Sequence, residues 1–239
     1  MPYDSDIIVI GCGNILFKDD GYGPIVINLL QKYFEDKNDY YDPAVTAYVE
    51  DEFDKDIVNQ IKEKFEDVTL PESVQFIDGG TAAPMNFFPL YKEYNWKKLI
   101  VIDVVESDDE PGTIGIFDPN VMQVGKYDNP HGMTVEEPLQ KIAEKCEVVI
   151  VGCKPQSIPI PDVDVGLSES VEKAIPEAID IILKEIGRIH NYEQFLDTYN
   201  GAKEAGFENI NVDLMLGLPR QDIKILKSSL ENIINLKPM

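Results

Sequence analysis

Residues 7–23 read IIVIGCGNILFKDDGYG, and this stretch decides the fold of the 239-residue chain. The run of β-branched residues from Ile7 to Ile10 predicts a strand buried on both faces, and the glycines after it predict a tight turn. Apolar side chains at helical spacing between Gly23 and Tyr33 predict a helix soon after the turn. A buried strand joined to a helix in this way is the unit from which parallel α/β sheets are built.

The same alternation of strand and helix continues along the chain. Further strands are predicted at Val74–Asp78, Leu99–Asp103 and Val148–Gly152, with an edge or antiparallel strand at Gly112–Phe117 and helices at Val135–Cys146 and Ser168–Ile186. The sequence therefore predicts an α/β fold, with a mostly parallel sheet between helices on both faces. In such a sheet, functional groups gather at the carboxyl ends of the strands.

The composition excludes several classes of protein. The chain carries 21 Lys and Arg against 44 Asp and Glu, a formal net charge of −23, so nucleic acids and anionic membranes would be repelled. No apolar run reaches the roughly 18 residues that favour a membrane span. The N-terminal residues are acidic, without the basic segment of a signal peptide, and the three scattered cysteines suit a reducing compartment. A cytoplasmic location is therefore expected.

The distribution of charge divides the chain in two. Residues 1–187 contain 15 basic residues, all lysine, and 37 acidic ones, whereas residues 188–239 contain 6 and 7 and include both arginines. This change predicts two domains with a junction near Gly187. Within the first domain, Glu35–Glu72 holds 13 acidic and 4 basic residues and is interpreted as a surface insertion that contains a short helix.

Three acidic side chains and one histidine stand where chemistry is expected. Asp20 follows the glycine turn after the first strand, and Asp78 and Asp103 each end a later strand. A capping or turn role explains Asp20 or Asp103 equally well when each is taken alone, and the double glycine after Asp78 favours a turn there. His131 lies in a loop before a helix, where we expect it to be accessible. Two carboxylates and one histidine would suit a transition metal with mixed nitrogen and oxygen ligands.

Other catalytic schemes fit the sequence less well. Leu16 stands where a dinucleotide-binding turn needs its third glycine, and no Gly-x-Ser-x-Gly elbow is present. Cys12 and Cys153 both follow strands, but neither has a histidine nearby in sequence. Both are therefore expected to be small buried side chains rather than nucleophiles.

Six motifs of residues 1–187 occur in a particular order. They are residues 7–23, Asp78-Gly79-Gly80-Thr81, the strand that ends in Asp103, Pro111-Gly112-Thr113, Pro130-His131 and Val151-Gly152-Cys153-Lys154-Pro155-Gln156. Any one of them is weak alone. In this combination and order they resemble the [NiFe]-hydrogenase maturation endopeptidases.

The resemblance implies a fold, a reaction and a site. The implied fold is a three-layer, twisted, mostly parallel five-stranded sheet between helices. The implied reaction removes a C-terminal extension from the precursor of the hydrogenase large subunit after nickel has been inserted. In the family, no metal is permanently bound, and nickel carried by the substrate is the recognition element. The implied catalytic and nickel-contacting residues are Asp20, Asp103 and His131, supported by Asp78, Gly79, Gly80 and Thr81.

The C-terminal residues resemble a second family. From Gly187 onward they read GRIHNYEQFLDTYNGAKEAGFENINVDLMLGLPRQ, which is similar to a fragment of the oxygen-independent coproporphyrinogen oxidases, a family of radical SAM enzymes. The fragment predicts a helix, a strand at Ile210–Met215 and a second helix at Ile223–Leu236. It contains no cysteine to hold an iron–sulfur cluster, so residues 188–239 are expected to be a non-catalytic addition.

Three other functions stay open at this point. The chain could be a non-catalytic subunit or chaperone associated with a hydrogenase, a nucleotide-binding α/β domain, or a metal-dependent hydrolase of a small substrate. Loss of the C-terminal peptide from a nickel-loaded precursor, thermal stabilisation by NAD and retention of metal during purification would distinguish among them.

Overall fold

The computed structural model describes most of the chain, in two compact units. The described residues are 3–34, 45, 47–49, 53–65, 70, 71, 73–119, 136–187, 192–207, 209–212, 227, 230, 233, 234 and 236. The units are Met1–Gly187 and Arg188–Met239. No helix among the described residues is long and apolar enough to cross a membrane.

The first unit is built on a five-stranded sheet. Its strands are β1 (Ile7–Cys12), β2 (Val74–Gly80), β3 (Lys98–Val104), β4 (Ile114–Phe117) and β5 (Glu147–Cys153). They lie in the order β2-β1-β3-β5-β4, and all pairs are parallel except β4 with β5. The predicted mostly parallel α/β sheet with an antiparallel edge strand is confirmed.

Helices cover both faces of this sheet. They are α1 (Tyr22–Phe34), α2 (Lys55–Phe65), α3 (Glu136–Ala143) and α4 (Glu169–Gly187). Helix α1 packs on β1, β2 and β3, while α3 and α4 both pack on β5. The close approach of α1 explains one glycine of the first motif, because a Cβ on Gly11 would lie 2.4 Å from the carbonyl oxygen of Gly23.

A cluster of apolar side chains fills the space on the α3 face of the sheet. The strands contribute Ile8, Ile10, Leu99, Val101, Val148 and Ile150, and the covering segments contribute Phe87, Phe88, Trp96, Leu139 and Ile142. The intervening strand residues, such as Ile7, Val9 and Ile100, are fully buried on the other face. Burial of both faces accounts for the nearly unbroken apolar runs of the parallel strands.

The acidic insertion is more than a surface addition. Its Val45, Tyr48, Val49, Phe53, Ile57 and Ile61 are all buried. The Tyr48 hydroxyl accepts a hydrogen bond from the Leu167 amide at 3.1 Å, and the Asp54 amide donates to the Glu172 side chain at 2.9 Å. The described part of the insertion is therefore packed on α4 and the loop before it, and the predicted short helix is α2.

The second unit begins with α5 (Tyr192–Glu204), as predicted. Lys227, Leu230, Ile233, Ile234 and Leu236 are helical and fall within the second predicted helix. The predicted strand is not formed at 210–212, which have no regular secondary structure, and its remaining residues lie outside the described part of the chain. The Tyr199 hydroxyl donates to the Leu236 carbonyl at 3.4 Å, so the helical segments of this unit contact each other.

Candidate active site

A cleft opens where β1 and β2 end. Its volume is about 340 Å³, and it is lined by Gly13, Asn14, Ile15, Pro24, Val45, Asp78, Gly79, Gly80 and Thr81. Strand β1 lies between β2 and β3 in the sheet, so the connections that leave these strands can diverge and expose a crevice. Val45 shows that the acidic insertion forms part of the cleft wall.

The four residues predicted to support the site form one side of the cleft. The Asp78 carboxylate accepts a hydrogen bond from the Gly80 amide at 3.0 Å, so the favoured turn interpretation is confirmed. Gly80 has a φ of +51°, and a Cβ on Gly79 would lie 2.6 Å from Ile10. Both glycines are needed because one takes a left-handed conformation and the other packs against the strand.

Asp20 lies beside the turn that closes β1. It belongs to a 3₁₀ turn, Lys18–Gly21, and is 1% exposed. Its carbonyl oxygen accepts a hydrogen bond from the Asn14 amide at 3.0 Å. Gly13 has a φ of +123°, and a Cβ there would lie 3.6 Å from the Asp20 carboxyl carbon. The carboxyl group of Asp20 is therefore held against Gly13, a residue that lines the cleft.

Asp103 lies on the neighbouring strand. It is one residue beyond Ile102, which pairs with Gly11 of β1, and it pairs with Gly152 of β5. Asp103 is 9% exposed, and one of its carboxylate oxygens accepts a hydrogen bond from the Val104 amide at 2.8 Å. Asp103 thus reaches the same end of the sheet as the glycine turn.

The Cys12 thiol is buried at the end of β1. Burial is the largest cause that raises the pKa of Cys12 well above its usual range. The next causes are the negative charges of Asp103, Asp78 and Asp20, in that order. Each of these negative charges disfavours the thiolate form of Cys12. The thiol stays protonated at neutral pH, as expected for a small buried side chain.

His131 lies outside the described residues, so the structure does not place the third predicted ligand. Within the described part of the chain, no three His, Cys, Asp or Glu side chains are arranged to hold a metal ion. The combined site of Asp20, Asp103 and His131 therefore stays a prediction. The described carboxylates would need additional ligands to bind a metal.

Asp19 has a role that the sequence did not reveal. Its fully buried carboxylate accepts hydrogen bonds from the amides of Gln156, Ser157 and Ser168 at 2.7–2.8 Å, and from the Ser168 hydroxyl. Asp19 therefore fastens the loop between β5 and α4 to the 3₁₀ turn. These partners are more than 130 positions away in sequence, so no local signal identifies them.

Tyr22 carries a second buried polar group that the sequence did not single out. It is the first residue of α1 and is fully buried, and its hydroxyl has no hydrogen-bond partner among the described residues. Burial raises the pKa of this phenol well above its usual range, and the charges of Cys153 and Asp103 add to the effect. An unsatisfied hydroxyl therefore lies within the electrostatic field of Asp103.

Comparison with known proteins identifies relatives of the first unit. The sequence profile of the hydrogenase maturation proteases, HycI, matches residues 56–185. The coenzyme F420 hydrogenase subunit delta of Methanothermobacter thermautotrophicus is 46% identical over 187 residues, which are 78% of this chain and 98% of that relative. The crystal structure of the [NiFe] hydrogenase maturation protease HycI from Thermococcus kodakarensis KOD1 has a similar fold, with 17% identity and a TM-score of 0.51 over 77% of this chain and 94% of that one.

The tail has relatives of its own. The heme chaperone HemW of Bacillus subtilis is 42% identical over 57 residues, which are 24% of this chain but 15% of the chaperone. The oxygen-independent coproporphyrinogen-III oxidase-like protein HemZ of the same species is 39% identical over 56 residues, or 11% of its length. The tail thus corresponds to a small fragment of these proteins.

Proposed function

The chain belongs to the hydrogenase maturation protease family, and we propose that it removes the C-terminal extension of a [NiFe]-hydrogenase large subunit once nickel has been inserted. The family membership makes the chain an endopeptidase. The particular bond, the dependence on nickel and the residues that act are the subject of the proposal. We place the reaction in the cytoplasm, where cysteines such as Cys12 stay reduced.

The observation that carries the proposal is a cleft lined by Asp78 and Gly13, with the carboxyl group of Asp20 lying against Gly13. Asp103 lies near the carboxyl end of β3, at the same end of the sheet as this cleft of about 340 Å³. Glycines make up much of the cleft wall, so an extended peptide could approach the backbone closely. A flexible C-terminal extension is a substrate of suitable shape for such a cleft.

The chemistry of the side chains suits a metal that arrives with the substrate. Carboxylate oxygens and an imidazole nitrogen are acceptable ligands for a divalent transition metal such as nickel. Asp20, Asp103 and His131 would complete the coordination of a nickel ion already held by the large subunit. Because these three side chains form an incomplete set of nickel ligands in the free enzyme, binding of the large subunit would depend on the nickel it carries. Cleavage would therefore follow metal insertion.

Hydrolysis then needs an activated water near the positioned peptide bond. Because Cys12 is buried and its thiol protonated, water is a better candidate for the nucleophile than this cysteine. The carboxylate of Asp20 or Asp103 would accept a proton from the water molecule while the water oxygen attacks the scissile carbonyl carbon. The departing amine would then be protonated, which completes the hydrolysis. We assign nickel primarily to positioning the substrate.

The proposal is tested with purified full chain and nickel-loaded large-subunit precursor. Mass spectrometry should show loss of the C-terminal peptide, and the same precursor without nickel should stay uncleaved. Asp20→Asn, Asp103→Asn and His131→Ala should each abolish processing while far-UV circular dichroism stays unchanged. Asp162→Asn, at an exposed carboxylate, and His190→Ala, at the second histidine, are matched controls that should process normally. Normal processing by the His131 variant would reject the site assignment.

A second function is suggested by the relative that is named as a hydrogenase subunit. In that case the chain would remain bound to the hydrogenase without cleaving it. The two functions differ in stoichiometry, because an enzyme turns over and a subunit does not. Complete processing with about one chain per twenty precursors would establish catalysis. Retention of one chain per large subunit without loss of the peptide would establish the subunit role.

A further inference from the structure

A second cleft lies at the opposite end of the same sheet, where β3 and β5 begin. Its volume is about 340 Å³, and it is lined by Tyr91, Lys92, Tyr94, Asn95, Trp96, Lys145 and Cys146, which we call the aromatic cleft. Trp96 comes just before β3, and Cys146 comes directly before β5. Asp103 is five residues further along β3 than Lys98, roughly 17 Å at the usual rise of a strand. The aromatic cleft is therefore separate from the candidate active site.

Stacked rings make the base of the aromatic cleft rigid. Trp96 stacks on Phe87 with a centroid distance of 5.1 Å and on Tyr94 with a centroid distance of 6.2 Å, and both pairs are nearly parallel. The indole nitrogen of Trp96 donates a hydrogen bond to the Tyr3 carbonyl at 3.0 Å. Trp96 is buried, whereas Tyr91 and Tyr94 are half-buried and expose part of their rings. The cleft thus offers preformed aromatic surface to a ligand.

Two lysines at this cleft form no ion pair within the part of the chain that the structure describes. The ammonium groups of Lys92 and Lys145 lie 5.8 and 5.1 Å from the centre of the Tyr91 ring. Neither group forms an ion pair with a described carboxylate. The adjacent Lys97 and Lys98, in contrast, pair with Asp6 and Glu185 at 2.8 Å.

The surrounding charge makes this pair of lysines unusual. Residues 1–187 contain 37 acidic and 15 basic residues, so an unpaired amine is not explained by a shortage of carboxylates. The nearest acidic residue in sequence to Cys146 is Glu147, whose carboxylate lies 3.2 Å from the Lys98 ammonium. Burial and Glu147 raise the pKa of Cys146 to about 11, so this thiol adds no negative charge at neutral pH. Glu93 and Glu144 are next to these lysines in sequence, but the described residues that line the aromatic cleft include two lysines and no acidic residue.

We propose that the aromatic cleft binds a small planar anion, with its ring against the tyrosines and its carboxylate or phosphate paired with Lys92 and Lys145. The cleft is near the lower end of the usual size of ligand pockets, which suits one ring system better than a folded segment of a partner. Aromatic side chains and ammonium groups supply the two interactions that such a ligand needs. The proposal is independent of the peptidase reaction.

The chain carries its own reporter for this site. Trp96 is the one tryptophan of the sequence, so intrinsic tryptophan emission monitors the aromatic cleft directly. The full chain is titrated with benzoate and with adenosine 5′-monophosphate, which carry a ring and either a carboxylate or a phosphate. At least one should change the emission saturably. Benzamide and adenosine, which lack the charge, and acetate and inorganic phosphate, which lack the ring, should bind at least tenfold more weakly.

Variants test whether the two lysines are responsible. The double variant Lys92→Ala/Lys145→Ala should weaken binding at least tenfold, because both cationic partners are removed. Lys55→Ala/Lys62→Ala removes two exposed lysines from α2 and should leave binding unchanged. The proposal is overturned if neither ring anion gives saturation below about 10 mM, far weaker than ordinary ligand binding. Equal binding of the uncharged analogues, or full binding by the Lys92/Lys145 variant, would also overturn it.

Discussion

Replacement of Asp19 by asparagine should destabilise the first unit strongly, although the two side chains have nearly the same shape. One carboxylate oxygen of Asp19 accepts hydrogen bonds from the Gln156 amide, the Ser157 amide and the Ser168 hydroxyl. The other oxygen accepts from the Ser168 amide at 2.7 Å. An asparagine has one acceptor oxygen, so its amino group must face a donor in either orientation.

The expected loss can be worked from these contacts. If the amide oxygen faces the three donors, the Ser168 amide is left buried without an acceptor, which costs about 1–3 kcal/mol. The three retained hydrogen bonds lose their ionic character, at a cost of about 1 kcal/mol each. A neutral amide is easier to bury than a carboxylate, which offsets part of this total. We therefore expect the free energy of unfolding to fall by about 3 kcal/mol.

Urea denaturation followed by circular dichroism measures this change directly. Asp162→Asn is the matched control, because the same chemical change at an exposed position should shift the free energy of unfolding by less than about 0.5 kcal/mol. A loss below about 1 kcal/mol for the Asp19 variant would refute the assigned hydrogen-bond network. The same variant should also impair processing, since the network fixes the turn that carries Asp20.

Three further predictions concern buried polar groups and thiols. Tyr22→Phe should stabilise the protein by about 1 kcal/mol, because it removes an unsatisfied hydroxyl, and a lower melting temperature would show that the hydroxyl has a partner. Lys98→Met should lower the free energy of unfolding, measured by urea denaturation, by about 3–5 kcal/mol, because the buried Glu185 carboxylate loses its ion pair at 2.8 Å. If this pair is the cause, the double variant Lys98→Met/Glu185→Leu should recover most of that free energy. The pKa values of Cys146 and Cys153 are about 11 and about 12, so both hold little thiolate at pH 8.5 and iodoacetamide should label both slowly. The labelling rate of Cys146 should rise as the pH approaches 11. Rapid labelling of either cysteine at pH 8.5 would contradict these values.

The sheet was predictable because its signals are local. Each parallel strand is a short run of β-branched residues that ends at a polar or glycine-rich turn, and the two-sided burial of such strands leaves that pattern in the sequence. The edge or antiparallel strand predicted at Gly112–Phe117 corresponds to β4. The packing of the acidic insertion on α4 could not be predicted in the same way. It depends on contacts such as that between Tyr48 and Leu167, which are 119 positions apart.

The candidate site was predictable in part. Asp20 could be selected because it follows the turn after the first strand, and Asp78 and Asp103 because each ends a later strand. Parallel strands place such residues at one end of the sheet. The order of the strands was needed to know that β1 lies between β2 and β3, and that order is not encoded in any single motif. Cys12 was predicted to be buried, and the structure confirms this.

The division of labour between two adjacent aspartates links the fold to the proposed chemistry. Asp19 and Asp20 are both almost completely buried and lie in one short turn, so sequence and exposure alone do not separate them. Their hydrogen-bond partners distinguish them, because both carboxylate oxygens of Asp19 accept hydrogen bonds from the loop that leads from β5 into α4. That loop therefore fixes the turn, and the turn fixes Asp20 against Gly13. Loss of a loop contact to Asp19, as in Ser168→Ala, should consequently impair the proposed peptidase activity, although Ser168 does not line the cleft.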